Sequence, residues 1–122
     1  MKAFKGFDKD LKCKGFQYKE GKTYEHTGEL KCCPTEEEAK KGIGGFHACE
    51  NPLDVLNYYD ICDSVFHEVE MSGNTKKNED GDSKFVASKI SIGKKLSLKD
   101  FINTAVEFIK CSCNAKIGRA HV

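Results

Sequence analysis

Hydrophobic positions in this chain follow two periods: every second residue in several short stretches, and every third or fourth in a few longer ones. Residues 2–7 alternate and predict a first strand with Phe4 turned to the core. Residues 13–18 predict a second, with Phe16 and Tyr18 on one face. Glu20, Gly21 and Lys22 make a turn. Residues 23–26 and 29–33 then predict a hairpin about Thr27 and Gly28. A helix of about two turns is expected over 34–42. Thr35 and Glu38 form a capping box, three glutamates lie at the positive end of the helix dipole, Lys40 and Lys41 lie at the negative end, and Gly42 stops it.

The densest signal spans 44–59. Gly44 and Gly45 permit a sharp turn, and 46–49 is short and apolar, as a buried strand would be. Asn51 is a good N-cap, Pro52 suits the first helical position, and Leu53 and Leu56 with Val55 or Tyr59 recur at helical spacing. After a loop over 60–63, residues 65–71 alternate, so that Val65, His67, Val69 and Met71 share a face. Residues 72–83 are polar and predict a loop. Residues 85–92 form the strongest strand signal, with Val86, Ile90 and Ile92 pointing one way. Ser97 and Asp100 make a second capping box, opening a helix to about Cys111 whose stripe of Leu98, Phe101, Ile102, Ala105, Phe108 and Ile109 is expected to be core. The sum is an α+β fold: a curved, mainly antiparallel sheet of about five or six strands with two or three helices packed on it.

Composition narrows the classes. A chain of 122 residues suits one domain. No apolar run approaches the ~18 residues of a membrane span, and the N-terminus has no apolar signal segment. The net charge of +1 gives no electrostatic case for a nucleic-acid polymer or an acidic membrane as partner. Seven cysteines cannot all pair within the chain, and none forms a Cys-x-x-Cys hook, so reduced thiols without zinc are expected. Asn78, Asp80 and Asp82 around Gly81 hint at calcium, but the stretch lacks the spacing and terminal glutamate of a binding loop. Residues 117–122 carry the only arginine and resemble a reading frame of a sequencing-library adapter, so 1–116 is taken as the domain and the rest as a non-native tail.

Chemistry concentrates near 44–59. His47 and Glu50 precede a helix start, where unbonded N–H groups favour an anion. Phe46, His47, Glu50, Asn51 and Tyr59, with Phe16 or Tyr18 as an aromatic wall, are the candidate ligand-binding residues. No catalytic residue, metal ligand or cofactor is assigned. His47 with Cys49 lacks an orienting third group, and His47 with His67 lacks a phosphodiesterase motif, so a binding module is the favoured class over an enzyme.

The pattern Lys5-Gly6-Phe7, Cys13-x-Gly15-Phe16-Gln17-Tyr18, Gly21-Lys22-x-Tyr24, Gly45-Phe46-His47-Ala48-Cys49-Glu50-x-Pro52-Leu53-Asp54 and Tyr58-Tyr59 resembles a family of uncharacterised phage and prophage proteins, often followed by a low-complexity repeat tail. A weaker likeness is to the ADP-ribosyltransferase-like fold. The phage resemblance implies a protein of the infected host's cytoplasm and carries over no catalytic residues. With it, the expected function is capture of a small nucleotide-like ligand, as in sequestering a nucleotide-derived signal of host defence, with self-association completing the pocket. The alternatives are an enzyme degrading such a signal, or a structural domain that carries a repeat tail.

Overall fold

The computed structural model describes residues 1–78 and 81–120, with 114–120 described by backbone alone. Asp80 of the calcium hint and the last two residues of the tail lie outside the described residues. Among the described residues there are seven strands and three helices: β1 (Lys2–Phe7), β2 (Lys12–Cys13), β3 (Phe16–Gln17), β4 (Thr23–Glu25), α1 (Glu36–Lys40), β5 (Phe46–Cys49), a 3₁₀ helix (Pro52–Asn57), β6 (Val65–Lys77), β7 (Lys84–Leu96) and α2 (Leu98–Ala120). Five strands form one antiparallel sheet in the order β4-β7-β5-β1-β6, and β6 also pairs with β7. The sheet therefore curls into a closed circuit, β1–β6–β7–β5 and back to β1. The α+β expectation holds, with five strands in the main sheet.

The closing seam is weak. β1 and β5 share a single paired position, Phe4 with Cys49. Inside the curl lie Ala3, Phe7, Tyr18, Phe46, Ala48, Val69, Met71, Phe85, Ala87, Ile90 and Ile92. Outside, Phe4, Cys49, Val55, Phe66 and Leu96 pack with Phe101 of α2, and the Phe66 and Phe101 rings stand 4.6 Å apart. His67 shares the inner face of β6 as expected, edge-on to Phe7, with Nδ1 2.9 Å from the Gly93 carbonyl oxygen.

Local signals are realised where they are self-contained. Thr35 and Glu38 form the capping box of α1. Asn51 Oδ1 accepts from the Leu53 N–H at 3.0 Å, and Ser97 Oγ accepts from the Asp100 N–H at 3.1 Å. The segment after Asn51 is a 3₁₀ helix rather than an α-helix, and at six residues it is long for one.

Several expectations are corrected. The strand over 13–18 is split into the hairpin β2–β3, because Lys14 and Gly15 both take positive φ, 49° and 81°, as in the tight turn that suits hairpins. Phe16 and Tyr18 then diverge in burial: Tyr18 is buried and Phe16 is 46% exposed. No hairpin forms about Thr27 and Gly28. Instead β4 adds to the open edge of β7, with Tyr24 opposite Ile90, while Leu30 bridges Gly44. The polar stretch 72–77 is strand, not loop, since β7 supplies its hydrogen bonds out to the pair Lys77–Phe85. A register shift between Ser72 and Thr75 accompanies a change of face on β7, so Phe85 and Ala87 join Ile90 and Ile92 inside while Val86 lies off that cluster. On α2 only Phe101 and Ala105 are buried among the described residues, and Leu98, Ile102 and Ile109 are exposed. The helix packs by its first turns on the 3₁₀ helix and on β7, and of the later stripe Phe108 is half-buried while Ile109 is exposed. No helix among the described residues is long and apolar enough to cross a membrane.

Candidate functional site

The weak seam between β1 and β5 opens into a cleft of about 660 Å³. Beyond the Phe4–Cys49 pair the Lys5 side chain reaches the His47 carbonyl oxygen, Nζ donating at 2.5 Å. Lys5 stands between Ala3 and Phe7 on β1, and alternation therefore turns it inward with them. It is 5% exposed and lines the cleft. Its Nζ lies 5.8 Å from the centre of the Phe7 ring and 5.7 Å from that of Tyr18. Burial lowers its pKa below the ordinary lysine value, against an opposing pull from Cys13. Among the described residues no carboxylate forms an ion pair with it.

Around this amine stand two polar groups and a set of rings. Cys13 Sγ and Tyr59 Oη are 2.7 Å apart. Burial, then the Cys13 hydrogen bond, hold the Tyr59 phenol protonated well above its ordinary range. Tyr59 packs against the backbone of Gly6, where an added Cβ would come within 2.5 Å of its ring. Phe16 leans on Tyr18 with ring centres 4.7 Å apart and on Phe46 at 6.2 Å, and Tyr24 closes the cluster. At the opposite rim Tyr58 donates to Asp82, and Lys84 Nζ covers its ring at 4.4 Å.

Both histidines at the cleft have unused capacity. His47 Nε2 lies 3.2 Å from the Lys31 carbonyl oxygen, so it carries the proton there and leaves Nδ1 as an acceptor. Burial, with Lys5 and Lys84 nearby, lowers its pKa to about 4, so the ring is neutral at pH 7. His26 Nε2 is buried with no hydrogen-bond partner among the described residues.

Of the sequence candidates, Phe16, Tyr18, Phe46, His47 and Tyr59 converge on the cleft. Glu50 and Asn51 do not line it. The N–H groups expected to receive an anion are already used: that of Glu50 donates to the Ser83 carbonyl, that of Asn51 to Ser83 Oγ, and that of Leu53 to Asn51 itself. The two catalytic alternatives are not assembled either. Cys49 is buried and its pKa is pushed up to about 12, chiefly by burial, so it stays a thiol. His67 is sequestered inside the curl and does not line the cleft. Among the described residues no three His, Cys, Asp or Glu side chains converge as metal ligands would. Sequence reasoning missed Lys5, Cys13, His26, Tyr58 and Lys84. Two of these carried a signal: Lys5, a lysine set between Ala3 and Phe7 on the inward positions of an alternating strand, and Tyr58, which cannot share one narrow helical stripe with Tyr59.

Residues 1–104 match a family described as a domain of unknown function (DUF7666), and the chain belongs to that family. No curated protein matches the chain, and no solved structure does.

Proposed function

From that membership, which brings no activity with it, we propose that the chain binds a small anionic ligand with a planar aromatic part, a nucleotide-like molecule, and does not consume it. The observation that carries this reading is Lys5: a buried amine without a carboxylate partner among the described residues, facing an aromatic cleft and able to take up a proton when an anion sits beside it. Buried charges are normally paired, and here a ligand's anionic group is the missing partner. Phe16 and Tyr58, each 46% exposed, offer ring faces at the rim, and base–aromatic stacking contributes roughly 1–3 kcal/mol per base. His47 Nδ1 and His26 Nε2 supply polar contacts to a base edge. The phage resemblance of the 45–59 motif supplies the biological setting: sequestration of a nucleotide-derived defence signal in the cytoplasm of an infected host. A second copy of the chain would close the open side of the cleft.

A thermal-shift and calorimetric screen against cyclic mono- and dinucleotides tests this. At least one is expected to raise Tm and to be recovered chemically unchanged after denaturation. Lys5→Met and Phe16→Ala are expected to weaken binding at least tenfold while the protein stays folded, and His47→Ala and Tyr59→Ala to weaken it by a smaller factor. A ligand recovered altered would replace capture with catalysis. Binding unaffected by all four changes would put the site elsewhere.

A further inference from the structure

We propose that Lys5 is a reactive amine that condenses with an aldehyde or keto group of a molecule seated in the cleft, joining it to the chain as an imine. The proposal uses the same cleft as the binding reading but goes beyond it, since a nucleotide-like ligand needs no carbonyl carbon.

The geometry is that of an amine kept from water, with no carboxylate beside it among the described residues. Lys5 is 5% exposed, yet lines a cleft of about 660 Å³. One N–H is committed to the His47 carbonyl oxygen at 2.5 Å. The Phe7 and Tyr18 rings flank the nitrogen, and no carboxylate among the described residues holds it as an ammonium. Desolvation therefore favours the neutral form, and a lysine desolvated in an apolar pocket is an established kind of nucleophile. Cys13 is hydrogen-bonded to Lys5, pulling its pKa up against the effect of burial, and its Sγ meets Tyr59 Oη at 2.7 Å, so a thiol stands at the reacting nitrogen and a phenol one hydrogen bond beyond it.

The step balances without any oxidant or reductant. The Lys5 lone pair attacks the carbonyl carbon, the C=O π pair moves to oxygen, and a proton passes from nitrogen to that oxygen to give a carbinolamine. The Tyr59–Cys13 pair then protonates the departing hydroxyl. The C–O bond breaks, water leaves, and the nitrogen lone pair forms C=N with loss of its second proton back to the pair. Amine plus carbonyl compound gives imine plus water. Hydrolysis reverses it.

Pyridoxal 5′-phosphate, an aromatic aldehyde bearing an anion, serves as the probe, with sodium cyanoborohydride to reduce and trap the imine at neutral pH. At equimolar probe, peptide mapping of the full chain is expected to find the adduct on Lys5 ahead of the other eighteen lysines, nineteen in all less Lys5 itself. Tyr59→Phe is expected to slow trapping several-fold without moving the label. Lys5→Arg, which keeps a cation and an N–H donor but removes the nucleophile, is expected to stay folded and to lose the cleft adduct. Label spread over exposed lysines with Lys5 unmodified overturns the proposal, and that result comes from the unaltered protein, so no variant has to fold for it. The binding screen fails separately. Nucleotide binding without Lys5 labelling sinks only the imine, and Lys5 labelling without any nucleotide binding sinks only the capture reading.

Discussion

His47 shows how a side chain's titration follows from where its strand is placed. Its folded pKa of about 4 lies below the ordinary histidine value of 6.5, with burial the first cause. Below pH 6.5 the unfolded chain takes up a proton that the folded chain refuses until about pH 4. The contribution is thus fully present above pH 6.5 and is lost as pH falls towards 4. Denaturant titrations at pH 7 and pH 5 are expected to show a lower midpoint at pH 5, and His47→Gln to shrink that difference. An unchanged difference in the variant would assign the acid sensitivity to other groups. Glu38 works in the same direction at lower pH: Lys31 and the Thr35 N–H hold its carboxyl at about 2, and its support fades as pH falls below the ordinary carboxylate range.

Among the elements, α2 contrasts most sharply with its sequence. Its stripe has the period of a core helix, yet only Phe101 and Ala105 are buried among its described side chains. Phe101→Ala is expected to cost about 3–5 kcal/mol, the usual range for emptying a packed aromatic site. Ile102→Ala, at a half-exposed position, is expected to cost under about 1 kcal/mol. Thermal or denaturant unfolding measures both. Deleting 117–122 is expected to leave Tm unchanged, because the described anchors of α2 lie more than three turns earlier. A loss of several degrees would show the tail packing on the body. β6 makes the converse point: its outer arm from Ser72 to Lys77 has no apolar face, and it is strand only because β7 runs beside it.

At the scale of the whole molecule, the cleft exists because the curl does not close evenly. β6 and β7 pair along most of their length, whereas β1 and β5 meet at one position, and the gap is where Lys5, Tyr59 and the Phe16 hairpin meet. Seven cysteines are distributed over this frame as unbridged thiols. Native mass spectrometry under anaerobic conditions is expected to give the mass of the metal-free chain with seven alkylatable thiols. A retained zinc or an intact disulfide would overturn that.

What the sequence by itself determined is local. The Thr35–Glu38 capping box, the Asn51 cap and the 46–49 strand were legible because each depends on residues within a turn of one another. So was part of the aromatic and histidine content of the candidate site, since Phe16, Tyr18, Phe46, His47 and Tyr59 all reach the cleft, while His26 and Tyr58, which also line it, were not among the candidates. The tertiary structure decided everything that depends on a distant partner. The backbone N–H groups of Asn51 and Glu50 were spent on Ser83, Ile102 was left half-exposed, and 72–77 became a strand against β7. It also placed Lys5 beside Cys13 and Tyr59, residues eight and fifty-four positions away. Burial and desolvation arise from whatever packs across the chain, and no period along the sequence records which surface that will be.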